Sequence, residues 1–395
     1  MAITSDHPIE RGSAAWGAVV SMTLCVATLI ASEFMPVSLL TPIASDLGIT
    51  EGQAGQAISI SGLFAVVTSL VVAGLTRRID RRTVILAFSG LLVVSGSMVA
   101  LAPGPGVLML GRALLGVAIG GFWSMSTAIV MRLVPAESVP KGLAMLNAGN
   151  AVAATVSAPL GSLVGGALGW RGAFAFVVPL ALLALLWQWI VLPPMPPEHA
   201  GRSANVFRLL RRRPVAIGMA AILLLFMGQF ALFTYLRPFL EQVTGVGIPA
   251  LSAILLLMGL AGVAGTGVIS RLLGRRLFSV LAVIPLVMAG LALALIVFGH
   301  SPILVAALLV GWGFFGTAAP VGWGAWLART LPEDAEAGGG LQVAIIQFAI
   351  TLGAASGGLL FDRAGWWAPF ALAAFLLTGA ALLAVAARPS VGKAR

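Results

Sequence analysis

Charge is what this 395-residue chain has least of: Asp, Glu, Lys and Arg make up 9% of it, against 59% hydrophobic residues. A soluble globular domain is not built at that ratio, because its surface needs many more solvated side chains. There is one cysteine, Cys25, which excludes an internal disulfide and a cysteine metal cluster and reads as packing. The three histidines, His7, His199 and His300, lie in a tail and two connections without metal-ligand spacing, so neither a metal nor a cofactor is expected. The apolar stretches hold no serine elbow and no paired carboxylates, which argues against a membrane-embedded enzyme. Nor does any glycine run lead into the Lys and Ser or Thr of a phosphate loop, which leaves an ion gradient as the energy source.

What is present is apolar sequence in long runs, with a mean hydropathy of +1.06. Twelve of them, at about 17–40, 54–75, 83–101, 107–131, 142–168, 173–192, 215–236, 250–269, 278–298, 302–327, 341–360 and 366–386, each hold about 19–27 residues. That length crosses a hydrocarbon core of about 30 Å at 1.5 Å per residue. Only a helix satisfies its own backbone over such a stretch, so an all-α integral membrane fold of twelve transmembrane helices is expected. The first run is too long for the core of a cleavable signal peptide. With the N-terminus inside, 19 of the 23 basic residues fall on the cytoplasmic side, so both termini are expected there. The net charge of +10 then reports contact with anionic membrane lipid rather than nucleic acid.

The chain is written twice. Gly74-Leu-Thr-Arg-Arg78-Ile-Asp80-Arg-Arg82 matches the spacing of Gly267-Val-Ile-Ser-Arg271-Leu-Leu-Gly274-Arg275-Arg276. Arg132-Leu-Val-Pro135 pairs with Arg329-Thr-Leu-Pro332, and Gly169-Trp170 with Gly365-Trp366, at offsets of 193 to 197 residues. The expected organisation is a cytoplasmic tail at 1–15, a six-helix half at 16–192, a cytoplasmic linker at 193–213, a second half at 214–387 and a tail at 388–395. Two pseudo-symmetric six-helix halves around a central cavity, with a site at mid-membrane, is the plan of a secondary transporter.

Three motifs carry a resemblance across about residues 15–387. They are Pro36-Val-Ser-Leu-Leu-Thr-Pro42-Ile-Ala-Ser-Asp46-Leu, Arg112-Ala-Leu-Leu-Gly116-Val-Ala-Ile-Gly120-Gly121 and Ala158-Pro159-Leu-Gly161. With them the chain resembles the major facilitator superfamily, in its drug:proton antiporter branch. Four further strings, Glu33 to Pro42, Gly120-Gly-Phe-Trp-Ser-Met-Ser126, Gly228 to Pro238 and Pro320 to Trp326, resemble the purine ribonucleoside efflux pumps of bacteria. The resemblance implies export of inosine- or guanosine-like nucleosides across the bacterial inner membrane against proton entry, by a monomer. Efflux of sugars or amphipathic drugs by the same fold is the alternative. It also implies gating by the loops at Arg78, Asp80, Arg82, Arg271 and Arg275. There the chain departs from the pattern: Arg78 and Arg271 stand where the family carries an acid, and Asp80 is the candidate replacement.

Of the chain's charged residues, only Glu33 and Arg112 fall inside the apolar runs. Charges inside a membrane are costly and mark function. Glu33 lies seven residues before the end of its run and Arg112 five after the start of its own, which matches their depth and lets them meet. A carboxyl balanced between burial and a nearby cation can trade a proton for substrate. Glu33 is therefore the expected proton carrier, with Arg112 setting its affinity. A nucleoside needs hydrogen-bond partners and aromatic faces. Candidates are Gln229, Thr234, Tyr235, Asn147, Asn150, Gln342 and Gln347, with Phe122, Trp123, Phe230, Phe233, Trp312, Trp323 and Trp326. Gln229, Phe233 and Arg237 recur along one helical face. Trp16, Trp170 and Trp326, near run ends, read equally as interfacial, and glycines at four-residue spacing as close helix packing.

Overall fold

The structure, a computed structural model, describes residues 15–197, 206–331 and 334–387. The expected tails, except Ala15, and residues 198–205 of the linker, with His7 and His199, lie outside the described residues. Among the described residues thirteen α-helices follow one another: α1 Trp16–Phe34, α2 Leu40–Leu47, α3 Glu51–Leu75, α4 Arg81–Ala100, α5 Pro105–Leu133, α6 Val139–Val191, α7 Arg213–Phe233, α8 Leu236–Gln242, α9 Ile248–Phe298, α10 Pro302–Gly316, α11 Ala319–Thr330, α12 Ala335–Ala364 and α13 Trp367–Ala386. Among the described residues, eleven helical stretches are long and apolar enough to cross a membrane. One of them, Lys141–Val191, runs 51 residues and bends at Gly169, so it makes two crossings and the total is twelve.

Local chemistry divides helices from crossings. Pro36 lacks the N–H that would close the last turn of α1, so the chain tightens into a 3-10 turn, Met35–Ser38, before α2. Pro238 sits in α8 just after the break that follows α7, and Pro320 just after the break between α10 and α11. The crossing expected at 302–327 is therefore two helices end to end. The left-handed glycines repeat: Gly245 (φ 71°) lies 197 residues after Gly48 (φ 63°), and Gly365 (φ 94°) lies 196 after Gly169 (φ 74°). Such a turn is easy only for glycine, so the same backbone reversals occur in both halves.

Each half has its own buried core, one around Val19, Leu29, Leu115 and Phe122, the other around Leu225, Leu309, Trp323 and Phe370. A third core spans both, at the face opposite the basic loops, and includes Met35, Leu39, Trp170, Phe174, Tyr235 and Phe361. The halves meet where α3 lies along α12 and α6 along α9. Apolar side chains such as Ile190, Ile303 and Phe375 point outward, as hydrocarbon surroundings require. Trp170 and Trp326 are buried, not interfacial. Trp170 donates to Asp46 at 3.1 Å, and Trp326 lies on Gly218, where a Cβ would collide with its ring. Trp16 lies under the Lys141 ammonium, 4.9 Å from the ring centre.

Candidate functional site

Glu33 is the next-to-last residue of α1, three residues before Pro36. With no N–H on Pro36, the Ser32 carbonyl loses its helical donor. Arg112, on α5, takes that place: Nη1 donates to the Ser32 carbonyl at 2.6 Å. Nη2 donates to the Glu33 carbonyl at 3.2 Å and to Ser61 Oγ at 3.1 Å, and Nε to the Ala57 carbonyl at 3.0 Å. The guanidinium is thus enclosed by α1 and α3 and is 1% exposed. The expected meeting of the two intramembrane charges occurs in another form. Arg112 holds the main chain of Glu33, and no ion pair within 4.0 Å joins their charged groups among the described residues. The Glu33 carboxylate instead accepts from Gln347 Nε2 of α12 at 3.4 Å, across the boundary between the halves.

The next residue extends the seam. Phe34 stacks on Phe230 at 5.7 Å between ring centres and meets Phe233 edge-on at 6.3 Å, with Phe230 and Phe233 5.8 Å apart. One turn back on α7, the half-buried Gln229 faces Gly316 at the α10 break, where a Cβ would lie 3.1 Å from its Nε2. Gln229 Oε1 is buried without a partner, as are Trp312 Nε1, one turn before Gly316, Thr234 Oγ1 and Trp323 Nε1. A buried polar atom left unpaired costs about 1–3 kcal/mol, so the Gln229 and Trp312 atoms near Gly316 call for an explanation.

The other expected residues are distributed more widely. Trp123 is half-buried against the N-terminal core and Trp312 fully buried in the C-terminal one. Asn147 is exposed and donates to its own helix at the Leu143 carbonyl (3.0 Å), and Asn150 is half-buried. Phe122 and Gln342 are buried. Tyr235 lies toward the non-basic face, its Oη donating to the Ala354 carbonyl at 2.8 Å and its ring stacked on Phe361 at 5.3 Å. In the basic loops, Asp80 is no free carboxylate. It caps α4 through Arg82 N at 2.7 Å and accepts from Met195 N at 3.0 Å, while Arg82 donates to the Trp189 carbonyl at 2.6 Å. Asp80 and Arg82 thus fasten elements of one half. Arg78 and Arg271 are exposed, and the Arg275 side chain lies outside the described residues.

Phe34 and Asp362 escaped sequence reasoning, and Arg237 entered it only as a residue on the Gln229 face, not as a buried cation. Arg237 is 5% exposed, pairs with Glu241 at 2.8 Å and donates to the Ser38 carbonyl of the opposite half. Its place one residue beyond an apolar run, directly before a proline, was the available signal.

A profile of the Major Facilitator Superfamily matches residues 22–335. The chain is 54% identical over 392 residues to the transcription regulatory protein OpdE of Pseudomonas aeruginosa, covering 97% of this chain and 96% of that one. It is 43% identical over 371 residues to the purine ribonucleoside efflux pump NepI of Salmonella paratyphi C and of Salmonella typhimurium, covering 94% of each chain.

Proposed function

The chain belongs to the Major Facilitator Superfamily of multi-pass membrane transporters, and we propose that it exports purine ribonucleosides, inosine- or guanosine-like, in exchange for protons. The observation that carries the reading is the seam at Glu33: a buried carboxylate of one half bonded to an amide of the other. Protonation turns a carboxylate from a pure acceptor into a donor, so a proton on Glu33 alters a contact between the halves. That links proton binding to alternating access, provided the two states differ in their affinity for the proton. Arg112 supplies a fixed positive charge at the Glu33 main chain and holds α1 at its break.

The three rings at the seam suit a flat heterocycle. The unpartnered atoms of Gln229 and Trp312 suit a solute with its own donors and acceptors. Phe233 and Gln347 complete this side of the site in our reading, with Trp123, Asn147 and Asn150 approaching from the N-terminal half. The relatives named as purine ribonucleoside efflux pumps support the substrate class. The name of the Pseudomonas relative finds no counterpart here: among the described residues, every helix of twelve residues or longer belongs to a membrane span. In this reading 16–192 and 214–387 are the two halves, joined by a cytoplasmic linker at 193–213, with tails 1–15 and 388–395 cytoplasmic. The chain acts as a monomer in the bacterial inner membrane, with the 78–82 and 271–275 loops at the cytoplasmic gate.

The test is uptake of radiolabelled inosine into acidified everted vesicles, parent beside Glu33→Gln. Uptake that collapses with an uncoupler and falls at least tenfold in the variant is expected. No uptake by the parent moves the assignment to sugars or amphipathic drugs. Equal, still uncoupler-sensitive uptake in the variant removes Glu33 as the carrier.

A further inference from the structure

The face opposite the basic loops carries a second set of contacts between the halves, none of which the transport reading uses. Asp362, near the end of α12, belongs to the C-terminal half, and α3 to the N-terminal half. Asp362 Oδ2 accepts from Thr50 Oγ1 at 2.6 Å, and Oδ1 from Gly52 N at 3.1 Å. Thr50 is itself the N-cap of α3, accepting from Gln53 N at 3.0 Å while the Gln53 side chain accepts from Thr50 N at 3.1 Å. First-turn amides of a helix lack internal partners and favour a negative charge. A carboxylate of one half therefore caps a helix of the other. Its approach depends on Gly52, where any Cβ would collide with the Asp362 carboxylate.

One turn deeper stands Tyr235, the chain's single tyrosine. Its ring fills a slot between Gly55 of α3 and Gly357 and Gly358 of α12, and a Cβ on Gly55 or Gly358 would overlap its hydroxyl. Around these two, Gln242 Nε2 donates to Glu51 Oε1 at 3.0 Å, and Arg237 reaches the Ser38 carbonyl. We propose that Asp362 and Tyr235 form a latch that holds the halves closed at the non-basic face, and that withdrawing both opens the pathway to that side.

The energetics suit a releasable contact. Thr50 and Asp362 are exposed, so water replaces their hydrogen bonds on opening and the net cost is small. The Tyr235 slot is lined by the backbone of Gly55, Gly357 and Gly358 and by the stacked Phe361 ring, and the tyrosine leaves it by giving up that stack and the hydrogen bond to Ala354. The four bonds of Arg112 are buried and lie within one half. They have no such route to exchange with water and no need to break.

Spin labels test this without substrate or gradient, so failure of the nucleoside reading leaves the result unaffected. In a Cys25→Ala background, Leu101→Cys and Ile303→Cys place labels on exposed positions of opposite halves at this face. Asp362→Ala and Tyr235→Phe are each expected to raise the ratio of long to short distances, the former by roughly tenfold. Asp46→Asn, which alters a contact within one half, should leave the distances as in the parent. Unchanged distances in a monodisperse Asp362→Ala protein overturn the latch. If that variant fails to fold, Thr50→Val removes the donor instead, and unchanged distances there overturn it equally.

Discussion

Arg112 is a cation whose partners are main-chain carbonyls and one hydroxyl, and this decides how it responds to substitution. Arg112→Ala strands those acceptors in a buried place at about 1–3 kcal/mol each. Arg112→Lys keeps the charge but cannot span four acceptors from one planar fork. Thermal unfolding in detergent should rank parent above Arg112→Lys above Arg112→Ala. A lysine variant as stable as the parent yet inactive in transport would assign Arg112 to coupling alone. The importance of Glu33 and Arg112 was legible as two charges in an apolar sequence. Their geometry was not: Arg112 goes to the Ser32 carbonyl because Pro36 leaves it open, and the Glu33 side chain turns to α12, over 300 residues away.

Helix against helix, glycines set the spacing. Gly116 and Gly120 of α5 lie on the backbone of α3 at Ser61 and Ala65, so that a Cβ at either would collide with a carbonyl oxygen. Because those obstacles are backbone atoms, Gly120→Val has to push α3 and α5 apart. We expect a loss of about 1–3 kcal/mol, read as earlier loss of the monodisperse peak when heated protein is run on a sizing column. Gly90, on α4, leaves open space where a Cβ would stand, and Gly90→Ala should instead be neutral or stabilise by about 0.5–1 kcal/mol. A Gly120→Val protein as robust as Gly90→Ala would end the packing argument. The four-residue glycine spacing announced close contacts. It did not say with which helix, since any partner with a smooth face satisfies the same pattern.

For the molecule as a whole, the ends of crossings are tied as well as their middles. Asp46 joins α2 to the α6 bend, accepting from Arg171 at 2.5 Å and from Trp170 at 3.1 Å, while Arg171 also donates to the Ala102 carbonyl at 2.7 Å. The Arg171 guanidinium, and then the Trp170 N–H, hold the Asp46 carboxyl below its ordinary value. A lowered folded value means the stabilisation is present above the unfolded value of about 4 and is lost as pH falls through the lower folded one. The parent should therefore melt above Asp46→Asn at neutral pH, and the two curves should converge below about pH 4. A gap that stays constant across that range would show the tie to be packing rather than charge.

The sequence by itself determined the class, the number of crossings and the duplication, because hydrophobic length, loop charge and recurrent glycines are properties of the chain read in order. It also marked Glu33 and Arg112, since a charge in an apolar run stands out before any folding. Which atoms those charges address was decided only when α1, α3, α5 and α12 came together. The seam of Phe34, Phe230 and Phe233, the capping of α3 by Asp362 and the slot around Tyr235 were decided at the same stage. The physical reason is range. Partition into a membrane acts residue by residue along the chain, whereas a hydrogen bond or a ring contact needs two groups within a few ångströms, and here those groups come from helices far apart in the chain.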